Sequence, residues 1–256
     1  MKIISLGLGV QSTALYMMSS LKRIDRADHA IFADPSAELP QTYKILNLLK
    51  DWKNKNNGIP IHITDKKNIY KDLLNQKNGK RLASIPAFTK NGGMIRRQCT
   101  NEYKIQPVIK KARQLHGLKP RQRMPMTEMW LGITIDEIER AKISQLPRIT
   151  YHYPLINQRM DRADCMRFFE EINFPIPPKS SCVFCPYHSN KTWKNLKDNH
   201  PKEFKKAIKI DSAIRDMKDR GLDEPVYLHR TCTPLERVEF ADQLEMFMCE
   251  EGFCGL

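Results

Sequence analysis

Two cysteines separated by two residues stand in the run Ser181-Cys182-Val183-Phe184-Cys185-Pro186-Tyr187-His188. Two thiolates at this spacing in a turn can grip one metal ion, and Pro175, Pro177 and Pro178 stiffen the approach to them. One pair does not complete a tetrahedral site. The further candidates are His188, Cys99, Cys249 and Cys254, whereas Cys165 and Cys232 sit in amphipathic or strand-like segments that suit a buried small hydrophobe. The spacing leaves three chemistries open: an iron–sulfur cluster on Cys99, Cys182 and Cys185, structural zinc on Cys182, Cys185, His188 and one more cysteine, or a catalytic dithiol. Cys249 and Cys254 lie in a short acidic end containing glycine, where they are either mobile nucleophilic or resolving thiols or structural ones.

A second constellation opens the chain. Lys2 to Ser5 predicts a short strand, two glycines interrupt it, and a helix follows from Gln11. Gly7, Leu8, Gly9, Val10, Gln11, Ser12 and Thr13 therefore bring unpaired N–H groups at a helix start, and the positive end of its dipole, to face an anion. The glycines are expected to supply positive φ and close approach; the plain alternative is a tight strand-to-helix corner. Asp34 and Glu38, in a polar loop after the next strand, are candidates for holding Mg²⁺ or for hydrogen-bonding a ribose or adenine. Asp136, Glu137 and Arg140 form a charged turn in which Arg140 either clamps an anion or makes a surface ion pair.

The balance of charge points to a polyanion. The 256 residues carry a net charge of +14, and nine Lys or Arg against the single acid Glu102 fall between Arg96 and Arg123. A solvated helix face normally mixes signs, so Arg96, Arg97, Lys104, Lys110, Lys111 and Arg113 are candidates for contacting the phosphates of a nucleic acid, tRNA or DNA. Seven cysteines without a secretion signal argue for metal or redox chemistry over a disulfide scaffold. No stretch approaches a membrane span, so no membrane partner and a cytoplasmic location are expected.

The elements that position these residues alternate. After the opening helix (11–22), His29 to Ala33 predicts a strand, Gln41 to Lys53 a helix, Ile59 to Ile63 a strand, Glu102 to His116 a helix and Glu128 to Ile133 a buried strand. Such alternation implies right-handed crossovers and an α/β fold with a parallel sheet covered by helices on both faces. Residues 76–94 are expected to form a mobile loop, and Asn91-Gly92-Gly93 is its clearest turn. Asp161 caps a helix through Cys165 to Glu171, and helices are expected at 189–198, 201–219 and 234–247. The expected division is a nucleotide domain, 1–155, followed by a mostly helical, cysteine-bearing region, 156–256.

The order of these pieces resembles the phosphoadenosine-phosphosulfate (PAPS) reductase-like family of the adenine-nucleotide alpha-hydrolase, or PP-loop ATP pyrophosphatase, superfamily. The matching segments are Ser5 to Thr13, Phe32-Ala33-Asp34 to Tyr43, Arg97 to Pro107 around Cys99, Gly132 to Arg140, and Pro177 to His188. The resemblance implies a Rossmann-like sheet that binds ATP or a related adenine nucleotide. It places the phosphates on Gly7 to Thr13, the adenylate on Asp34, and an anion on Asp136, Glu137 and Arg140. Cluster-bearing relatives, among them some sulfonucleotide reductases and the sulfurtransferase of DNA phosphorothioation, imply that Cys99 joins Cys182 and Cys185 on a cluster of the 4Fe–4S kind. Two departures stand out: Gln11 occupies the place of the superfamily's Asp, and the end Phe253-Cys254-Gly255-Leu256 lacks the acid and His of the reductase tail.

The leading expectation is therefore an ATP-dependent enzyme that transfers sulfur to a nucleic acid, with a sulfur donor or thiol reductant as partner. The alternatives are a PAPS reductase that releases sulfite through Cys254, and a non-catalytic nucleic-acid-binding protein with structural zinc.

Overall fold

The computed structural model describes residues 1–65, 67–75, 85–218 and 222–240. The chain divides into two compact units: Met1–Asp34, Pro40–Asp65 and Ile105–Ser180 form the first, and Pro35–Leu39, Lys66–Lys104 and Ser181–Leu256 the second.

The first unit is an α/β fold around a five-stranded sheet. β1 (Lys2–Ser5) leads through a glycine loop into α1 (Val10–Ser20), then β2 (His29–Phe32), α2 (Pro40–Lys55) and β3 (Ile61–Ile63). In the second unit come α3 (Ile69–Leu74) and β4 (Phe88–Thr89), and the chain returns to the first with α4 (Gln106–Leu115), β5 (Thr127–Trp130), β6 (Ile149–His152), α5 (Pro154–Asn157) and α6 (Arg162–Glu171). The sheet order is β3-β2-β1-β5-β6 and every pairing is parallel, with Ile3 opposite His29 on one side and Met129 on the other. Successive strand residues point to opposite faces, and Ile3 and Ile4 are both fully buried, so both faces are covered. One face packs Ile4, Ala30 and Phe32 against Leu15 of α1, Leu49 of α2 and Phe169 of α6. On the other, α4 lies against β2. The sheet order reverses between β1 and β5, so the crevice beyond their carboxyl ends is where ligands of such sheets bind.

The second unit has its own core. α7 (Asn190–Asn199) and α8 (Pro201–Ala213) bury Trp193, Leu196, Phe204 and Ile210 with Val183 and Phe184. β7 (Val226–Tyr227) pairs antiparallel with β4. Buried Asp211 ties the unit together by accepting the N–H of Leu228 at 2.8 Å and of Leu235 at 2.9 Å and pairing with Arg215.

Several expectations change. The expected boundary near residue 155 is replaced by interleaved units, because α6 packs its Phe168 and Phe169 into the sheet's core while residues of 35–39, 67–75 and 85–104 join the core of the other unit. Part of the loop expected to be mobile is ordered: Thr89 and Gly93 close a turn in which Gly92 has φ +81°, and Phe88 pairs with Tyr227. Residues 76–84 lie outside the described ones. The helix expected from Glu102 starts as a π-helical turn, Asn101–Ile105, before α4. Pro107 has no N–H to offer the carbonyl of Tyr103, which breaks the ladder at that point. The helix expected at 201–219 ends at Ala213. That expected at 234–247 is a short 3-10 turn, Leu235–Arg237, followed by extended chain to Phe240, and the rest of it lies outside the described residues. Among the described residues no helix is long and apolar enough to cross a membrane.

Candidate functional site

In the first unit the loop after β1 sits at the switch point of the sheet. Leu6 extends the β1 pairing by donating its N–H to the Ile31 carbonyl at 2.9 Å, and Gly9 then becomes the N-cap of α1 with no side-chain cap. Ser12 Oγ accepts the Gly7 N–H at 3.2 Å and donates to the Gly9 carbonyl at 3.3 Å, which fixes the loop from inside. The N–H groups of Val10, Gln11 and Ser12 have no carbonyl four residues back in the helix and remain directed out of its end. The hydroxyls of Thr13 and Thr134 are buried without a partner. The helix-end N–H groups, with the dipole behind them, suit the oxygens of a phosphate group.

The glycines act differently from expectation. The left-handed residue is Leu8, at φ +61°, whose side chain is fully buried; neither Gly7 nor Gly9 has positive φ. At Gly9 an added Cβ meets nothing within 4 Å, so its contribution is an open approach. The required glycine is Gly132, just past β5: a Cβ there would lie 2.6 Å from the N and Cα of Ser12 and 2.9 Å from the carbonyl carbon of Gln11. The end of β5 thus presses on the first turn of α1.

Gln11, where an acid was expected, is buried and accepts a hydrogen bond from Arg162 Nη1 at 3.3 Å. Arg162 opens α6, whose start is fixed by the capping box of Asp161 with Asp164. A neutral amide at position 11 leaves the Arg162 charge less compensated than a carboxylate would, which favours an anion at the helix start. Arg140 does not stand free as a clamp. It forms an ion pair with Glu137 at 2.5 Å, and both side chains are largely buried. Burial raises the Glu137 pKa and the Arg140 charge opposes that rise. Asp136 is exposed on the same turn. Asp34, at the carboxyl end of β2, accepts the Tyr43 hydroxyl at 2.8 Å. Tyr43, Gly132 and Arg162 escaped the residue-by-residue reading. Only Gly132, beside a strand end, carried a local signal.

In the second unit Cys99, Cys182 and Cys185 line one pocket together with Arg97, Tyr103, Lys104 and Tyr187. Cys185 closes a turn on the Cys182 carbonyl at 3.0 Å, and Cys182 bridges antiparallel to Glu38. The Arg97 guanidinium lies over the Tyr187 ring, 6.0 Å from its centroid, and brings a positive charge to this lining. All three thiols are half-buried. Three cysteines, 83 positions apart at the first gap, thus line the same pocket. Their donor atoms suit iron or zinc. Among the described residues no group of three or more His, Cys, Asp or Glu is close enough together to hold a metal ion. His188 packs edge-on against Trp193, with ring centroids 4.7 Å apart. Cys165 is the buried small hydrophobe expected of it, and burial pushes its thiol up to about 12. Cys249 and Cys254 lie outside the described residues.

The basic run is shared between the two units. Arg96, Arg97 and Lys104 belong to the second unit, whereas Lys110, Lys111 and Arg113 belong to the first. Lys104 pairs with Glu38 at 3.0 Å, and because the Glu38 side chain is fully buried, the position expected to hold Mg²⁺ or nucleoside serves a buried ion pair instead. Lys110 pairs with Asp65 at 2.8 Å, and Arg113 donates to the Gln122 carbonyl at 2.7 Å. Local sequence could not foresee these partners, since the acids come from elsewhere in the chain.

No family model matches the chain, and no curated protein matches it in sequence. Among solved structures the chain is similar to phosphoadenylyl-sulfate (PAPS) reductase from Candida auris in its phosphate complex, at 15% identity and a TM-score of 0.42, over 69% of this chain and 74% of that one.

Proposed function

We propose that the chain is an adenine-nucleotide-dependent enzyme of sulfur chemistry, which transfers sulfur to a nucleic acid. The observation that carries this reading is the gathering of Cys99, Cys182 and Cys185, distant in sequence, on the wall of one pocket beside Arg97. The uncapped start of α1 at the sheet's switch point supports the nucleotide half.

The residues divide the work. Backbone N–H groups of Gly7 to Thr13 hold the phosphates of ATP, with Mg²⁺ entering as its counter-ion, and Arg162 adds positive charge at the same helix start. ATP adenylates a carbonyl oxygen of the acceptor and pyrophosphate leaves. A pocket cysteine carrying a persulfide, charged by a sulfur donor, attacks the activated carbon through its terminal sulfur, and AMP departs with the C–O electron pair. A second pocket thiolate then attacks the cysteine-bound sulfur. The acceptor keeps the terminal sulfur, the protein is left with a disulfide, and a thiol reductant reopens it. An iron–sulfur cluster on the same cysteines would supply sulfur or electrons when bound.

The test is anaerobic turnover with ATP, a persulfide donor and tRNA or duplex DNA, read as AMP formed and thiolated nucleosides after digestion. Product that disappears in Cys182→Ser and Cys185→Ser supports the reading; undiminished product in both variants overturns it. Arg97 in the thiol pocket favours one second reading, reduction of a sulfonucleotide. There a thiolate, expected to be Cys254, attacks the sulfur of PAPS, the adenosine bisphosphate leaves, and a second thiolate releases sulfite as a disulfide forms. Sulfite formation that survives Cys254→Ser unchanged removes that mechanism.

A further inference from the structure

At the amino ends of β5 and β6 the first unit carries a second cleft, away from the strand ends that bear the phosphate loop. Ile109 and Arg113 of α4, Arg123 and Met124 before β5, and Leu146 and Arg148 before β6 line it. Its floor is apolar and its rim is cationic. No acid occurs from Tyr103 to Thr127 or from Ala141 to Met160, so every charged side chain that these segments contribute is positive. Of the acids that meet these segments, Asp65 is taken by Lys110 and Glu128, next to Thr127, accepts the Trp130 indole N–H at 3.3 Å; Asp28, at the amino end of the sheet, accepts the Lys2 N–H at 2.7 Å.

Three features separate this cleft from an ordinary solvated surface. The exposed side chains of Arg121, Arg123 and Arg148 have no ion-pair or hydrogen-bond partner among the described residues, whereas Lys110 and Arg113 nearby are engaged. Arg121 and Arg148 both have left-handed backbones, at φ +67° and +62°. That conformation costs a residue with a Cβ on the order of 1 kcal/mol. Finally, the Arg113 guanidinium holds the carbonyls of Lys119 and Gln122, at 3.4 and 2.7 Å, so the loop that carries Lys119, Arg121 and Arg123 is fixed in place before any ligand arrives.

We propose that this cleft binds a single-stranded stretch of nucleic acid, with phosphates on Arg121, Arg123 and Arg148 and unpaired bases against Ile109, Met124 and Leu146. Guanidinium groups match phosphate oxygens, and an apolar floor is of use to exposed bases but not to the closed backbone of a duplex. The inference rests on the reading above in that a nucleic acid is the acceptor. Its test reads binding without nucleotide or turnover, so loss of sulfur transfer alone leaves it standing, and loss of binding alone leaves the thiol chemistry standing.

The experiment is fluorescence anisotropy of a labelled single-stranded DNA, the matching RNA and the corresponding duplex against the full chain over a salt series. The expected result is tighter binding of the single strands than of the duplex. Arg123→Glu/Arg148→Glu should weaken single-strand binding at least about tenfold and lower the salt slope by about 1.4, two contacts at roughly 0.7 each. Lys44→Glu/Lys55→Glu on α2 makes the same change in net charge and should have much less effect. Arg123→Gln/Arg148→Asn, in which Asn tolerates the left-handed backbone, should lower the slope similarly and separates loss of contacts from loss of fold. Equal weakening by the α2 pair, preference for the duplex, or an unchanged slope in Arg123→Gln/Arg148→Asn overturns the proposal.

Discussion

Replacing Gly132 by Ala tests whether the strand end holds the anion loop. The new Cβ would lie 2.6 Å from the N and Cα of Ser12, about 1 Å inside the normal contact distance. Both atoms are backbone in the first turn of α1, so neither can swing aside. Either β5 or the helix start must move, and overpacking of this kind costs about 1–3 kcal/mol. For a protein of this size that is a fall in melting temperature of about 2–12 °C. The same movement disturbs the N–H groups of Gln11 and Ser12, so stabilisation by ATP should shrink as well. Gly9→Ala is the partner experiment. Its Cβ meets nothing within 4 Å, and stability should change by no more than about 0.5 kcal/mol. The methyl group nevertheless stands in the open approach to the loop and should weaken nucleotide binding. Thermal and urea unfolding, each with and without ATP, separate the two effects. A Gly132→Ala protein that melts within about 1 °C of the unaltered chain and keeps its response to ATP refutes the reasoning.

Three further outcomes follow from the same geometry. Arg140→Met leaves the Glu137 carboxylate buried without its cation, at a cost of about 3–5 kcal/mol. Because the folded pKa of Glu137 is already raised above its ordinary 4.5, the folded state there binds more protons than the unfolded one. The stability lost relative to the unaltered chain should therefore be smallest below pH 4.5 and grow as pH rises through the folded pKa, which urea titrations of both proteins at several pH values will show. On the acid side, His229 is held at about 4 by burial, and His62 is lowered by burial and by the nearby His29 and Lys111 charges. Both are neutral in the fold where the unfolded chain is protonated, so stability should fall as pH drops from 6.5 toward 4, less steeply in His62→Phe. Iodoacetamide on the native protein should label Cys99, Cys182 and Cys185, which are half-buried, and spare Cys165, whose thiol is buried and pushed up to about 12. Peptide mass spectrometry showing Cys165 labelled as fast as the others contradicts the packing.

What the sequence made legible has a local cause. β1, the glycine loop and α1 were readable because strand, turn and helix signals adjoin within sixteen residues, and the capping box at Asp161 was readable because it is complete within four. Cys99 with Cys182 and Cys185 is one of several groupings the cysteines allow, and only the resemblance favours it, since nothing local links positions 83 apart. Pairings across the fold were out of reach in the same way. Glu38 reads as a ligand in the sequence but pairs with Lys104, and of the two readings open for Arg140, clamp or ion pair, the fold takes the ion pair, with Glu137. The interleaved units were hidden because α6, although late in sequence, carries the phenylalanines that complete the sheet's first face.

The central claim is that pocket thiols carry the sulfur. The most direct measurement is peptide mass spectrometry of the anaerobic protein after exposure to a ³⁵S-labelled persulfide donor, with and without ATP and acceptor. The account predicts label on Cys99, Cys182 or Cys185 and its discharge only when ATP and acceptor are both present. Label that never enters these three cysteines, in a protein that still thiolates its acceptor, contradicts it.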